Sequence, residues 1–527
     1  MPAGTPFAEG ASDPQRSAGA LLHTLLSGAL AVAAGIAAGM LLARIMRARR
    51  IHWSWAALAA ALVPLAQPRP AGASLAFLTA AALAALHTAR ASRADACAGG
   101  DLARSAAMLV RPHDLLARLA GGTLDGRAPA RGRLAIGRDA RGRRVTMPFG
   151  PRPAAHTLVV GATGSGKTVT QTQLAVAAVA RGMGVVAVDP KGDPDLRAAL
   201  GHAAAAAGRR FVEWTPTGGS VYNPFASGGD SEIADKALAG EHFTEPHYMR
   251  QAQRYIGHVA RCLRAARVEV CPRSLAEHMD PARLEELARG LTGAAATHEY
   301  LESLTSRQRA DLAGVRDRLS ILVESDVGPL LDPATVGAGR LNLLASIRAR
   351  DVVYMALEAD SRPLLMQMLG GAIIQDLQTA AASLQSSPVP TLALIDEFSA
   401  VASQQVVRLF GRARSAGLSV VLGTQELSDL RLAGQERTLE RVLGNVAVVL
   451  AHRQGVPESA EMIARMAGTR GAWAVSRRSD GGELRARSRD PVLEADAVMA
   501  LRPGWAAVVE LGSGNAHVAR VHRAARR

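Results

Sequence analysis

Lysine is nearly absent from this chain. Of 61 basic residues in 527, only Lys167, Lys191 and Lys236 are lysines. The excess of arginine reads as compositional drift, so nothing is inferred from it. Aromatic residues are also scarce, at 3%. That argues against a base-stacking platform and leaves the phosphate backbone as the contact for any nucleic acid. Cysteine is limited to Cys97, Cys262 and Cys271, with no C-x-x-C pair. This excludes a disulfide framework and a zinc pattern, and suits a reducing cytosol. Acidic residues are outnumbered: the formal net charge is +15. Such a balance fits a polyanion or an anionic membrane surface, with a merely soluble basic surface as the plainer alternative.

The N-terminal region lacks charge instead. Ser17 to Ala43 carries no charged residue. As a helix this stretch spans roughly 40 Å, enough to cross a bilayer with tilt. A cleaved signal peptide would place its basic residues first. Here they follow, as Arg44, Arg47, Arg49 and Arg50. Two more apolar stretches, Ile51–Gln67 and Ala71–Ala89, are split by Pro-Arg-Pro. The positive-inside rule puts Arg44–Arg50 in the cytoplasm, and Arg90 and Arg93 belong there too if a cytoplasmic domain follows. Three spans with the N-terminus outside satisfy both demands. Two spans with a re-entrant second stretch are the alternative. Gly35 and Gly39 have the spacing that packs membrane helices together, which in so Ala-rich a segment is equally well chance.

The strongest local pattern is Gly161, Ala162, Thr163, Gly164, Ser165, Gly166, Lys167 and Thr168, followed by Val169. It fits G-x-x-x-x-G-K-[ST]. The glycines let successive backbone N–H groups face phosphate oxygens. Lys167 can reach the outer phosphates, and Thr168 offers a hydroxyl to Mg²⁺. An apolar strand, Thr157–Val160, precedes the loop and a helical pattern follows, adding the partial positive charge of a helix N-terminus. These features predict ATP and Mg²⁺ as the cofactors.

Further apolar runs read as buried parallel strands: Gly184–Pro190, Asp351–Leu357, Thr391–Phe398, Leu418–Gln425 and Val446–Arg453. Helical segments alternate with them, which predicts an α/β P-loop core, a mostly parallel sheet with helices on both faces. The run ending at Phe398 delivers Asp396 and Glu397 to a strand end. Asp396 suits Mg²⁺, and Glu397 suits orienting or deprotonating the attacking water. Gln425 ends the next strand, where a neutral amide can sense a γ-phosphate; a capping role is the alternative. Arg414 lies between those two strands and is a candidate finger reaching a neighbouring subunit. Asp189–Asp193, reading Asp-Pro-Lys-Gly-Asp, is a turn by its chemistry, and its spacing says nothing more.

Between Val221–Ala226 and Arg340 the pattern turns helical. Tyr248, Ala252, Ile256, Val259 and Leu263 share a face, as do Leu284, Leu287 and Leu291, and Leu312, Val315, Leu319 and Leu322. Ser274 and Glu277 fit a capping box, and Asp280-Pro281 an N-cap with proline at the first helical position. The expected division is a membrane domain over 1–95 with two or three spans and a linker over 96–130. The first part of the nucleotide-binding domain covers 131–228, an inserted all-α subdomain 229–340, and the second part of the nucleotide-binding domain 341–527.

Taken together, the loop at 161–168, Asp-Pro-Lys-Gly-Asp, Tyr-Asn-Pro-Phe at 222–225, Leu-Ala-Leu-Ile-Asp-Glu-Phe and Gly-Thr-Gln, with N-terminal spans and an all-α insert, resemble TraD/TraG-type coupling proteins of conjugation and type IV secretion. The likeness covers about residues 15–515. It implies a RecA-like hexameric ATPase on the bacterial inner membrane, multi-pass, with its ATPase domain cytoplasmic. Its partners would be single-stranded or double-stranded DNA, a relaxase or relaxosome, and the secretion-channel proteins. By the same resemblance Lys167 and Thr168 hold phosphate and Mg²⁺, Asp396 and Glu397 run hydrolysis, Gln425 senses the γ-phosphate and Arg414 is the finger in trans. The chain departs from that pattern in showing three apolar segments where two are usual, and in lacking a long acidic tail. The rival readings are an FtsK/HerA-type DNA translocase, a secretion-assembly ATPase moving protein, and a non-enzymatic membrane scaffold. Arg477–Arg489 and Arg520–Arg527 are basic stretches that read as solvated charge or as DNA contacts.

Overall fold

The computed structural model describes residues 14–48, 55–56, 59, 71–97, 132–151, 154–240, 243, 245–337, 339–398, 403–430, 438–477 and 483–523. Internal contacts divide the chain into two units: residues 1–127 with 140–143 and 471–489, and residues 128–139 with 144–470 and 490–527.

In the second unit, the unbroken apolar runs become strands buried on both faces, because alternation would leave one face for water. Thr157–Val160, Gly184–Asp189, Val352–Ala356, Thr391–Ile395, Leu418–Thr424 and Val448–Ala451 are buried at every residue. Phe211–Thr215 joins them, and these seven run parallel. Among the described residues the sheet has twelve strands, extended by antiparallel Trp505–Glu510, Asn515–Val521, Arg133–Arg138 and Arg144–Pro148 at one side and Gly218–Gly219 at the other.

Strand order decides where the chemistry falls. The chain leaves Thr157–Val160 through the helix Lys167–Ala180 and does not return to the neighbouring position. Leu418–Thr424 and Thr391–Ile395 lie between it and Gly184–Asp189. Four parallel strands therefore end side by side, carrying the glycine loop, Gln425, Asp396–Glu397 and Lys191. The helix Lys167–Ala180 is held over the sheet by Leu174, Ala175, Ala178 and Val179, which pack with Val185, Ala187, Leu394 and Val421.

Helices fill the insert: Asp230–Ala237, Pro246–Ala265, Pro272–His278, Pro281–Ala288, Ala295–Ser303 and Ser306–Glu324. Their core includes Ile256, Val259, Leu263, Leu284, Leu312 and Leu319, as the stripes predict. The insert closes at its base, where Val221–Tyr222 pairs in parallel with Arg340–Leu341. Asp280 caps the following helix through Ala282 N, with proline in the first turn. The capping box predicted for Ser274 and Glu277 is displaced by one turn. Cys271 is the N-cap, and Ser274 already sits at the third helical position with its hydroxyl accepting from Cys271 N. The signature of Ser followed three residues later by Glu cannot distinguish the two, because Pro272 starts the helix early.

The first unit contains the helices Pro14–Ala48 and Ala71–Cys97. Gly35 and Gly39 do form the contact face: a Cβ on Gly39 would lie 2.8 Å from Ala80 O and 3.0 Å from Leu83 Cβ, and one on Gly35 would overlap Thr79. Among the described residues one helix, Leu22–Met46, is long and apolar enough to cross a membrane. The apolar part of the other runs only from Ala73 to Thr88, below the ~20 residues a span needs, because Arg90, Arg93 and Asp95 end it. The multi-pass expectation is thus not supported. The middle stretch Ile51–Gln67 lies outside the described residues apart from Trp55, Ala56 and Ala59. The expected linker lies outside them apart from Ala96 and Cys97.

Candidate nucleotide site

The loop Gly161–Lys167 takes its shape from glycine backbone freedom. Gly164 and Gly166 have φ of 74° and 110°, conformations costly for a side chain. Close packing adds a second demand. A Cβ on Gly161 would meet His452 Cβ at 2.5 Å and Ser165 Oγ at 2.7 Å, and one on Gly166 would meet Gly504 N at 3.1 Å. Gly504 N donates to Ser165 O at 2.8 Å, so the loop is braced from Pro503–Gly504. The helix Lys167–Ala180 begins with Gly166 as N-cap and no side-chain cap, leaving its first-turn N–H groups for another acceptor. They open onto a cleft of about 720 Å³ lined by Ala162–Gly164, Gly166–Val169, Lys191 and, across from them, Pro503 and Arg520.

The acidic pair sits behind this loop. Lys167 Nζ donates to Glu397 Oε1 at 2.6 Å and lies 3.9 Å from Asp396 Oδ1. The same Glu397 oxygen accepts from Lys191 Nζ at 2.9 Å and Gln425 Nε2 at 3.2 Å. Gln425 Oε1 accepts from Thr163 Oγ1 at 3.3 Å, tying the loop to the next strand end. Asp396 Oδ1 accepts from Gln171 Nε2 at 2.7 Å and Glu397 N at 2.9 Å. Gly423 makes that arrangement possible, since a Cβ there would overlap both Asp396 Oδ1 and Gln171 Nε2. Glu397 itself has φ of 40°, a left-handed backbone uncommon for glutamate and the sort of strain that collects at functional sites.

The two carboxyls are pushed in opposite directions. Burial drives Asp396 above the usual range, against the opposing Lys167 charge and Gln171 hydrogen bond. Burial acts on Glu397 in the same sense, but hydrogen bonds from Lys167 and Lys191 outweigh it and hold Glu397 below the usual range. Neighbouring carboxyls whose environments push them apart are the pattern expected where two carboxyls serve different roles. Behind the loop, His452 bridges Thr170 Oγ1 at 2.9 Å and Trp505 O at 3.0 Å; burial lowers its pKa to about 4.

Sequence reading named Lys167, Asp396, Glu397, Gln425 and the loop 161–169, and these converge on one end of the sheet. Arg414 does not join them. It is exposed, just past the helix Ser403–Ala413, at the start of the strand whose far end carries Gln425. It also contributes, after burial, to lowering the pKa of His156, which precedes the loop strand at that same opposite end. Lys191, Gln171, Gly423, His452 and Gly504 were not identified as site residues from sequence. Residues 478–482 and 524–527 of the basic stretches 477–489 and 520–527 lie outside the described residues; Arg520 and Arg523 do line the cleft.

Fold and site together define a RecA-like P-loop NTPase core with an all-α insert. Residues 390–503 match the family described as the TraM recognition site of TraD and TraG, and residues 136–217 match the HerA-like helicase C-terminal family. The chain is similar in structure to the bacterial conjugative coupling protein TrwBdeltaN70, at TM-score 0.58 and 19% identity, over 77% of this chain and 93% of that one. It is similar to TrwB in complex with ADP and Mg²⁺, at TM-score 0.55 and 20% identity, over 73% and 89%. It resembles TrwB bound to a non-hydrolysable ATP analogue equally, at 0.55 and 20%, over 72% and 89%. A search of curated proteins gave no match. The resemblance to TraD/TraG-type coupling proteins read from the motifs is thereby borne out.

Proposed function

We propose that this chain is a membrane-anchored ATPase that couples ATP hydrolysis to the transfer of DNA into a type IV secretion or conjugation channel. The observation that carries it is the meeting of the phosphate loop, Lys167 and the Asp396–Glu397 pair at one end of a coupling-protein fold. The residues fit a nucleoside triphosphate with Mg²⁺. Uncapped N–H groups at the start of helix Lys167–Ala180 open onto the cleft, the geometry that accepts phosphate. Thr168 lines the same cleft, and the hydrogen bonds of Asp396 among the described residues fall on Oδ1 alone. A hydroxyl and one carboxylate, completed by phosphates and water, suffice for Mg²⁺. Mg²⁺ there would neutralise charge on the phosphates.

Lys167 would exchange Glu397 for phosphate oxygens. Glu397, relieved of that cation, would orient water and accept its proton, and Gln425 would align with the terminal phosphate from the next strand. Arg414 precedes the seven-residue strand Leu418–Thr424, about 20 Å long at ~3.3 Å per residue, whose far end carries Gln425. It does not line its own cleft, so as a finger it would serve a neighbouring copy in a hexameric ring. The basic balance of the chain supports DNA as cargo, bound through phosphates. A relaxase complex and channel proteins would be the partners. The helix Leu22–Met46 would anchor the ATPase to the inner membrane from the cytoplasmic side.

ATP turnover by the full chain in detergent, measured without DNA, with duplex and with single strands, tests this. Stimulation by DNA that Lys167→Ala abolishes is expected. DNA-independent turnover would shift the reading to a protein-moving secretion ATPase, and full activity in Lys167→Ala would sink the motor altogether.

A further inference from the structure

Lys191 was read from sequence as part of a turn, and its position shows more. The strand Gly184–Asp189 runs parallel to Thr391–Ile395 with Val188 opposite Ile395, so the loops that leave them emerge together. Lys191 Nζ and Lys167 Nζ both lie within hydrogen-bond distance of one atom, Glu397 Oε1. Two ammonium groups that share a carboxylate oxygen can equally share the oxygens of one phosphate group. Lys191 lines the same cleft as Lys167 and Thr168.

The base of this side chain is fixed and the rest of it is half-exposed. Asp189 Oδ1 accepts from Lys191 N at 2.9 Å, while Asp189 Oδ2 accepts from Asp193 N at 2.6 Å and from the Tyr354 hydroxyl at 2.9 Å. The side chain beyond is 46% exposed, against 8% for Lys167. Composition supplies an independent pointer. The chain uses arginine almost everywhere, yet each of its three lysines pairs with a buried carboxylate: Lys167 and Lys191 with Glu397, Lys236 with Asp376. A compact ammonium on a flexible stem is what these positions have in common, and a planar guanidinium replaces it only in part.

We propose that Lys191 is a second phosphate-reading cation of the nucleotide site, paired with Glu397 when no terminal phosphate is present and turning to that phosphate when it is. Lys191 then distinguishes triphosphate from diphosphate, a task separate from the loop's general hold on both. This rests on the nucleotide reading above, and the test separates the two. Full-length protein in detergent is titrated with MgADP and with a non-hydrolysable ATP analogue, for wild type, Lys191→Ala, Lys191→Met and Lys167→Ala. Loss of one charged contact to phosphate is expected to weaken the analogue about tenfold in both Lys191 variants, with ADP affinity within about twofold of wild type. Lys191→Arg should recover part of the loss. A merely structural ion pair predicts equal changes for the two nucleotides, or none, and either overturns the proposal while leaving the nucleotide site intact. If wild type binds neither nucleotide, the nucleotide reading fails first and this one with it.

Discussion

Two lysine–carboxylate clusters are buried in this molecule, and they are built on opposite terms. At the base of the all-α insert, Lys236 is wholly buried and its ammonium donates to Asp376 Oδ1 at 2.6 Å, Ser227 O at 2.7 Å and Pro224 O at 2.9 Å. Asp376 also accepts from the hydroxyls of Tyr222 and Ser227. All three N–H groups of the ammonium have acceptors, with Ser227 Oγ at 3.3 Å as a fourth contact. Where the central parallel strands end the supply is unequal: three donors crowd one oxygen of Glu397, whose backbone is strained, while among the described residues Ser165 Oγ and Gln171 Oε1 have no hydrogen-bond partner. Saturated polar clusters fix a structure. Crowded ones next to unpaired atoms are poised to be rearranged by a ligand that brings its own charge.

Removing each lysine breaks that comparison most sharply. Lys236→Ala leaves a buried carboxylate with no cation, which costs about 3–5 kcal/mol. Chemical denaturation should show that loss in the midpoint, and turnover per folded molecule should stay near wild type. Lys167→Ala should do the reverse. Turnover should fall roughly 10²–10³-fold, the usual cost of removing a charge-stabilising donor, at nearly unchanged stability. If Lys236→Ala lost activity while keeping its denaturation midpoint, the insert cluster would belong to the machinery and not to the scaffold.

The contrast between the clusters was only partly legible in the sequence. Chemistry carried within a few residues was readable: the loop 161–168, the Asp396–Glu397 strand end and Gln425 all combine an apolar run with polar residues at a fixed offset. Partnerships across long separations were not. Lys191 and Glu397 are 206 residues apart, Gln171 and Asp396 are 225, and Thr170 and His452 are 282. Only strand order brings them together, and spacing does not encode it. Gly423 looked like part of a strand terminus because the need for its missing Cβ comes from side chains on two other elements. The rarity of lysine was visible, but without the contacts it was indistinguishable from drift. The apolar stretch Ala71–Ala89 falls within the helix Ala71–Cys97, but its apolar part is shorter than a membrane span needs.

Two buried histidines at opposite ends of the loop strand extend the comparison to pH. His156 leads into the strand, accepting from Val420 N at 3.1 Å, and His452 backs the loop it leads to. Burial lowers each pKa to about 4, assisted by Arg414 for the first and by Lys167 for the second. Both are neutral in the fold, while the unfolded chain binds protons below about 6.5. Their contribution is therefore complete above pH 6.5 and is lost as pH falls from there toward 4. Each is worth about 3 kcal/mol by that linkage. Denaturation midpoints at pH 7 and pH 5 should separate clearly, and His452→Asn should reduce the separation. An unchanged separation in that variant would mean that other groups carry the acid sensitivity.

The smallest effect belongs to the longest contacts. Gln425 reaches Glu397 at 3.2 Å and accepts from Thr163 at 3.3 Å, so it is the weakest of the three donors on the crowded oxygen. It is also uncharged, so it lacks the ion-pair attraction that the two ammonium groups add at the same oxygen. Gln425→Ala should lower turnover about tenfold with little change in KM, because the amide would act on the terminal phosphate and water and not on the loop's general hold. Gln425→Glu should be worse than alanine, since it sets a second carboxylate against Glu397. Thr163→Ala removes only the outer end of the chain and should stay within about threefold of wild type. Steady-state kinetics on the three variants ranks the donors. Should Gln425→Ala match Lys167→Ala, charge would not be what grades the cluster, and the crowding at Glu397 would have to act through geometry alone.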